Sequence, residues 1–320
     1  MNAQMSSGLL GLDPAGPIAR EIDGLWRFML FLSIPAFLLF LIPLLIALWR
    51  RSRPNDDELD PRIDDERRLS PLWLYGGGVA LPSLVVVLVL GTTLLTMRVT
   101  GDDAPEGALT VDVIGNQWWW EIRYPGTDVV TANEIRIPAG RPVKLRLRSA
   151  DVIHSFWVPE LAGKLDLLPE RTNTMVIEAD APGRYQGQCA EFCGLQHANM
   201  GIEIVAEDPA DFDAWLREQS QPAAAPSSAT AREGRKLFAS SGCASCHTVR
   251  GSAATGDTGP DLTHLASRRR IAAGALPLTT SGLTEWIRNP HDVKQGASMP
   301  APDLTDDEIA AIVAYLEGLR

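Results

Sequence analysis

Two long segments of this 320-residue chain contain no charged side chain, and they limit the folds open to it. The first, residues 28–49, reads FMLFLSIPAFLLFLIPLLIALW, and the second covers residues 71–97. Each exceeds the roughly 20 residues that a helix needs to cross the hydrocarbon core of a bilayer. The first segment is too long for the apolar region of a signal peptide. We therefore predict a hairpin of two transmembrane helices over residues 26–98.

The connection between the two apolar segments predicts their orientation. Residues 50–70 carry six arginines, and arginine-rich loops remain on the cytoplasmic side of a membrane. We therefore expect a two-pass protein of a bacterial inner membrane with both termini on the outer, periplasmic side. Residues 1–25 would form an outer N-terminal segment, and everything after residue 98 would fold outside the membrane. That compartment permits disulfides and the covalent attachment of c-type haem.

The outer part of the chain divides at residues 219–231, QSQPAAAPSSATA, an uncharged stretch that is typical of a linker. Residues 99–218 contain short strand-like segments separated by turn sequences, a pattern that favours an antiparallel β-sandwich or barrel. Residues 99–221 hold ten Lys/Arg against twenty Asp/Glu, which accounts for nearly all of the net charge of −11. This acidity either keeps the domain soluble or attracts a basic partner. It does not favour a nucleic acid partner.

Residues 189–200, CAEFCGLQHANM, concentrate metal-binding side chains in Cys189, Cys193, His197 and Met200. A disulfide between the two cysteines suits an oxidising compartment, but it leaves the histidine and the methionine without a role. A structural zinc site uses Cys and His but does not ordinarily include a thioether. These residues alone leave both alternatives open.

Two thiolates together with a methionine favour copper. A mononuclear blue copper site takes two histidines, one thiolate and a weak axial methionine, so it would leave one cysteine over. Two thiolates can instead bridge two copper ions, each of which then needs one imidazole. Besides His197, the only histidine between residues 99 and 218 is His154, which follows the strand-like segment VKLRLRS.

This arrangement resembles the dinuclear copper (CuA) domain of cytochrome c oxidase subunit II. The likeness rests on His154 followed by CxExCxxxHxxM at residues 189–200, on GNQWWWEIRYPG, and on the two apolar segments; it covers residues 20–206. The resemblance implies a cupredoxin-like all-β domain over residues 99–218. It also implies that two bridging thiolates, two terminal imidazoles, a thioether and a backbone carbonyl hold the copper pair, from Cys189, Cys193, His154, His197, Met200 and Glu191 respectively.

The same resemblance implies two further roles. The carboxylate of Glu191 would reach a magnesium ion at the boundary with subunit I. Trp118 would be the surface tryptophan through which electrons arrive from cytochrome c. Trp119 and Trp120 match no role in the family, and three aromatic residues in one strand also suit a core and its rim.

Beyond the linker, CASCH at residues 243–247 has the CxxCH spacing of a covalent haem c site. Cys243 and Cys246 would form thioethers to the haem, and His247 would be the proximal iron ligand. Met299, in a Met-Pro pair, is the only methionine after residue 200 and is the candidate sixth ligand. We therefore expect residues 232–320 to form an all-α domain that resembles class I cytochromes c.

The rest of this domain supports the same interpretation. LTDDEIAAIVAYLEGL predicts a final amphipathic helix with Thr305 as N-cap and Glu308 three residues later. His264 and His291 are left as packing or surface histidines. All four cysteines of the chain are assigned, two to copper and two to haem.

The complete pattern resembles subunit II of a caa-type haem-copper oxidase, a membrane-anchored multidomain protein. In that family, electrons from a donor cytochrome c or a membrane cytochrome complex pass through haem c and CuA to haem a of subunit I. Subunit I then reduces oxygen and pumps protons, and subunit III is a further partner. The chain itself would hold no catalytic residue. A CuA-containing nitric oxide reductase subunit and a free-standing membrane-tethered electron carrier are the alternatives.

Overall fold

A computed structural model describes residues 13–51, 71–99 and 104–320 of the chain. Helix α1 covers Pro17–Arg51, and a π-helical segment, Leu72–Ala80, continues into α2, Leu81–Val99. Within them, Pro17–Arg50 and Leu74–Arg98 are long and apolar enough to cross a membrane. Helix α1 begins before the predicted apolar segment, with proline at its first position, where a missing N–H costs no hydrogen bond. Residues 52–70 of the predicted cytoplasmic connection and residues 1–12 of the outer N-terminal segment lie outside the described residues.

The first outer domain is the predicted β-sandwich, built from ten strands: β1 Leu109–Asn116, β2 Trp119–Arg123, β3 Val130–Ala132, β4 Glu134–Pro138, β5 Val143–Ser149, β6 His154–Trp157, β7 Leu165–Leu167, β8 Asn173–Ile177, β9 Gly183–Cys189 and β10 Gly201–Glu207. One sheet has the order β3-β2-β1-β5-β8, and the other has the order β4-β10-β9-β6-β7. Helix α3, Pro209–Gln219, follows the last strand and buries Phe212 and Trp215.

The sheets are mixed, so the expectation of a purely antiparallel sandwich was wrong. Strand β1 pairs with β5 in parallel, and β10 pairs with β4 in parallel, while the remaining strand pairs are antiparallel. A parallel pair needs a crossover connection, and the chain between β1 and β5 supplies one by visiting the opposite sheet with β4. Short strands and turn sequences cannot reveal which strands become neighbours.

Alternating side chains along the strands form the core of the sandwich. In β5, Val143, Leu145 and Leu147 are fully buried, while Arg146 and Arg148, which alternate with them in the sequence, are exposed. Trp120 and Phe156 meet edge to face across this core with ring centroids 6.2 Å apart. The interior is therefore a rigid apolar block beneath the loops at its end.

The second outer domain is helical and has a separate apolar core. Its elements are α4 Ala229–Ser240, the short hairpin β11 Arg270–Ile271 with β12 Leu276–Pro277, and the helices α5 Thr280–Arg288, α6 Pro290–Val293 and α7 Asp306–Leu316. The predicted cap of the last helix is present: Thr305 accepts from the backbone N–H of Glu308, and the Glu308 carboxylate accepts from the backbone N–H of Thr305. Helices α4 and α7 pack with Phe238 and Tyr315 at a ring separation of 5.7 Å.

The predicted linker is fixed to the helical domain over its first residues. Arg250 donates to the backbone carbonyls of Gln219 and Ser220, and His264 hydrogen-bonds the carbonyl of Gln221 at 2.9 Å. The backbone N–H of Ala223 donates to the carbonyl of Arg250.

Close approach of α4 and α7 predicts the effect of one substitution. A methyl group at Gly234 would overlap the backbone carbonyl of Ala311. Such overpacking costs about 1–3 kcal/mol, more than the ~1 kcal/mol that alanine gains over glycine in a helix. Gly234→Ala should therefore lower the free energy of unfolding of the helical domain, measured by denaturant titration followed by circular dichroism. Glu233→Ala, at an exposed position of the same helix, is the control. Equal stability of the two variants would contradict this packing.

Candidate copper centre and haem attachment site

Five predicted copper-binding side chains and one backbone carbonyl converge at one end of the β-sandwich. The Sγ atoms of Cys189 and Cys193 are 3.8 Å apart. His154 Nδ1 lies 3.9 Å from Cys189 Sγ, and His197 Nδ1 lies 3.7 Å from Cys193 Sγ. Met200 Sδ is 3.9 Å from Cys193 Sγ. The donors therefore surround one small buried space, with one imidazole beside each thiol.

The strands of one sheet position these donors. His154 is the first residue of β6 and Cys189 is the last residue of β9, its direct neighbour in the sheet. The loop from β9 to β10 carries Cys193 and His197, and Met200 lies immediately before β10. Two ligands thus come from strand ends and three from one loop, so the sandwich fixes the separation between the two groups.

The thiol separation argues against the disulfide that the sequence left open. A disulfide requires about 2.05 Å between its sulfur atoms, whereas these thiols are free and 3.8 Å apart. A metal bonded to sulfur at about 2.3 Å and to imidazole nitrogen at about 2.0 Å spans the observed sulfur–nitrogen distances. Two thiols, each with its own imidazole and with a thioether beside one of them, suit a pair of soft metal ions.

The electrostatics prepare one of the two thiols for metal binding. Burial alone raises the pKa of Cys189, but hydrogen bonds from His154 and from the backbone of Ser155 outweigh burial, so the pKa falls below its usual value. Burial and the neighbouring charge of Cys189 raise the pKa of Cys193. A thiolate therefore forms first at Cys189, and binding of a metal displaces the proton of Cys193.

Asp151, which the sequence analysis missed, supports His154 from behind. Its carboxylate lies 2.8 Å from His154 Nε2 and accepts the backbone N–H of Gln117 at 2.6 Å. Burial lowers the pKa of His154, but the hydrogen bonds and charges of Asp151 and Cys189 together outweigh burial and raise it. Gly115 leaves room for the ring, because a Cβ there would lie 2.6 Å from its Cδ2 atom. In the sequence, the signal for this contact was that Asp151 lies three residues before His154.

The three tryptophans occupy different environments. The Trp118 indole N–H donates to the carbonyl of Cys193 at 2.9 Å. The tryptophan for which the family resemblance implies electron entry therefore contacts the ligand loop directly. Trp120 is fully buried, and its ring centroid lies 5.9 Å from that of His154. Trp119 is half-buried in β2. Trp120 therefore packs against the candidate copper ligands. The sequence suited a core residue at this position and did not predict this contact.

Glu191 contributes a backbone group to the cluster. Its carbonyl oxygen lies 3.2 Å from Cys189 Sγ, while the side chain is half-buried. Phe192, next to it, is 78% exposed, and its ring centroid lies 5.8 Å from that of His197. The ligand loop therefore presents an apolar side chain to its surroundings beside one candidate ligand.

The haem attachment motif lies in the helical domain. Cys243 begins a short 3₁₀ turn, and both cysteines of the motif are free. His247 Nδ1 donates to the carbonyl of Pro260 at 2.8 Å, and burial lowers its pKa, so Nε2 of the neutral ring can bind a metal. A Cβ at Gly259 would lie 2.7 Å from His247 Cε1. This arrangement of ring, thiols and small residues fits a covalently bound haem.

The remaining predicted residues of this domain have distinct positions. Met299 and Cys243 pack at the edge of the apolar cluster that the helices enclose. His264 is buried and bonded to the linker, and His291 is exposed, as expected of a packing and a surface histidine. The candidate sixth ligand thus lies beside the apolar cluster that also contacts the haem-binding cysteine.

Comparison with known proteins agrees with both halves of the site. Residues 127–207 match the family described as cytochrome c oxidase subunit II, periplasmic domain, and residues 231–320 match the cytochrome c family. The predicted β domain and helical cytochrome c domain are thereby confirmed. Together the two families imply CuA copper and haem c as cofactors.

Two relatives match the chain over most of its length. Cytochrome c oxidase subunit 2 of Alkalihalophilus pseudofirmus is 33% identical over 314 residues, which cover 98% of this chain and 91% of the relative. The protein of the same name from Bacillus subtilis is 30% identical over 86% of this chain and 81% of its own length.

A solved structure resembles part of the chain. The periplasmic domain of subunit II of cytochrome oxidase from Bradyrhizobium japonicum is 29% identical, with a TM-score of 0.35, and covers 37% of this chain and 96% of its own. The two family matches and the full-length relatives carry the assignment. This chain belongs to the cytochrome c oxidase subunit 2 family, in the form that carries a C-terminal cytochrome c domain.

Proposed function

We propose that the chain is the electron-accepting subunit of a caa-type cytochrome c oxidase. When bound, haem c and dinuclear copper would supply one-electron chemistry. The chain would thereby relay electrons from a donor cytochrome c or membrane cytochrome complex to haem a of subunit I, where oxygen reduction would be coupled to proton pumping. The observation that carries the proposal is the convergence of Cys189, Cys193, His154, His197 and Met200 in a chain that also contains a haem attachment motif.

We assign the residues of the chain to roles in holding these groups. The thiolates of Cys189 and Cys193 would be shared by the copper pair, His154 and His197 would each supply an imidazole, and Met200 and the Glu191 carbonyl would supply the remaining donors. In the second domain, Cys243 and Cys246 would attach the haem, and His247 and Met299 would hold its iron. A His/Met pair raises the potential of haem iron and closes it to oxygen, which suits an electron carrier.

The positions of the copper ligands support electron transfer rather than bond making. Strand ends and a loop anchored by hydrogen bonds hold the donors, so that the ligand geometry changes little between oxidation states. Nε2 of His154 is held by Asp151, which leaves Nδ1 for the metal. No residue of the described chain is needed here as a nucleophile or general base.

The exposed side of the ligand loop supports assembly with other oxidase subunits. Phe192, Val152 and Ile153 are exposed apolar residues around the copper ligands, and such groups favour a protein partner. We assign this surface to subunit I, with the Glu191 carboxylate reaching a magnesium ion at the boundary. Subunit III is a further partner, and both termini of the chain lie on the periplasmic side.

Electron paramagnetic resonance and metal analysis of the purified full-length chain test the cofactor assignment. We expect two copper ions that share one unpaired electron and one c-type haem per chain. Zinc, or a single cupric ion beside a disulfide, would refute the copper assignment. Oxygen uptake by the purified complex supports the oxidase function, whereas nitric oxide reduction, or recovery of the chain without a haem-bearing partner, would support an alternative.

Replacing Met200 should alter the copper centre alone. Met200→Leu keeps the buried volume but removes the thioether, and loss of a donor sulfur should raise the copper midpoint potential. The haem c absorbance should remain unchanged. Met175→Leu is the matched control, because Met175 lies in β8 and packs against the sandwich core. An unchanged copper spectrum and potential in Met200→Leu would rule out this ligand.

Removing the support of His154 should weaken copper binding. Loss of a hydrogen-bonding partner behind a metal ligand typically lowers affinity by about 10–100-fold. Asp151→Ala should show a decrease of this size in competition with a copper chelator. Asp128→Ala, which removes an exposed carboxylate between β2 and β3, should retain the parent affinity. Equal affinities for the two variants would show that Asp151 does not position the ring.

A further inference from the structure

Lys294 is a buried cation that neither the copper site nor the haem motif explains. It follows α6 in the cytochrome c domain and is 3% exposed. Its ammonium group donates to the backbone carbonyls of Trp118 at 2.7 Å, Asn199 at 2.8 Å and Ala272 at 3.2 Å. Two of these acceptors belong to the copper domain and one to the cytochrome c domain, so the side chain joins the domains.

The chemistry of this contact makes it specific for lysine. An ammonium group has three N–H donors, and three carbonyl oxygens accept them. Hydrogen bonds from a charged donor are about twice as strong as those between neutral groups. Burial nevertheless lowers the pKa of Lys294 to about 8. Removing the ammonium group would leave three carbonyls at the domain boundary without this donor, and buried unpaired carbonyls are unfavourable.

The two acceptors in the copper domain lie beside its ligand loop. The indole of Trp118 donates to the carbonyl of Cys193, and Asn199 immediately precedes Met200. On the other side, Lys294 is five residues before Met299, the proposed haem ligand. The ammonium group therefore links the backbone beside the candidate copper ligands to the segment that leads to the proposed haem ligand Met299.

Neighbouring contacts continue the same boundary. The buried side chain of Gln196 donates to the carbonyl of Gln295 at 3.0 Å. Gly296 has a φ of +82°, and a Cβ there would lie 3.1 Å from Leu195 Cδ1 and 3.5 Å from the Trp118 ring. Residues 294–296 therefore lie directly against Trp118 and the copper ligand loop.

We propose that Lys294 is a positioning residue that holds residues 294–299 against Trp118 and so fixes the distance between the haem and copper sites. The proposal rests on the proposed function for its consequence in electron transfer. The inferred contact itself depends only on residues of this chain. Because residues 294–296 occupy the Trp118 surface, an external donor must deliver electrons to the cytochrome c domain.

The test compares Lys294→Met, which keeps the length of the side chain, with Lys236→Met. Lys236 lies on the exposed face of α4 and pairs with Glu233. In the purified complex, flash photoreduction of haem c measures the rate of electron transfer to copper. We expect Lys294→Met to slow this step, because loss of the three hydrogen bonds lets the haem and copper sites move apart. Lys236→Met should match the parent.

Two further measurements separate positioning from a local role. The optical spectrum of haem c and the copper resonance should be unchanged in Lys294→Met, and hydrogen exchange should increase in residues 294–299. An unchanged transfer rate would overturn the proposal. Loss of the Met–iron absorbance or of the copper signal would also overturn it, because Lys294 would then shape a ligand site rather than join two domains.

A second variant changes the boundary between the two domains while leaving the charge of Lys294 in place. Gly296→Ala introduces both a left-handed alanine and the contact with Leu195, and it should slow the same step. Gly140→Ala is the control, because Gly140 has a φ of +67° but open space around its Cβ position. Equal transfer rates for these two variants would contradict the proposal.

The cofactor content of the parent protein separates failure of the proposed function from failure of the role proposed for Lys294. If the parent lacks dinuclear copper or haem c, the proposed function fails. Hydrogen exchange of residues 294–299 in Lys294→Met still decides whether the lysine joins the domains. Faster exchange supports that role, and unchanged exchange overturns it.

Discussion

The thiols of Cys189 and Cys193 lie 3.8 Å apart inside the end of a β-sandwich, and the surrounding structure maintains that separation. Strand β9 fixes the first thiol, and a loop held by hydrogen bonds from the side chain of Gln117 and the indole of Trp118 to the Cys193 carbonyl fixes the second. A dense apolar core beneath them resists adjustment. The rigidity of the sandwich therefore fixes the positions of the candidate metal ligands.

The candidate metal-binding residues could be chosen from the sequence because few residues have the required chemistry. The chain has four cysteines and five histidines, and their spacing within residues 189–200 and 243–247 restricts the assignments further. The alternation in β5 and the cap at Thr305 were also readable, since both depend on neighbours in sequence.

Other features depend on contacts between distant parts of the chain. The parallel pairing of β1 with β5, the packing of Trp120 against the candidate copper ligands and the carbonyls that surround Lys294 all join residues that are far apart in sequence. The sequence does not distinguish a buried lysine from a solvated one, so the partners of Lys294 are visible only in the tertiary structure. Short-range patterns thus identify the chemistry, while the tertiary fold decides its supporting residues.

The start of the linker, held by Arg250 and His264, has a consequence for how electrons arrive. A free tether of this length would let the cytochrome c domain swing as a mobile carrier, collecting charge in one place and releasing it in another. Here the start of the linker and the Lys294 contact hold it at two points, through bonds that end on backbone carbonyl oxygens. In the proposed function, the cytochrome c domain would therefore stay in place and the donor would move to it.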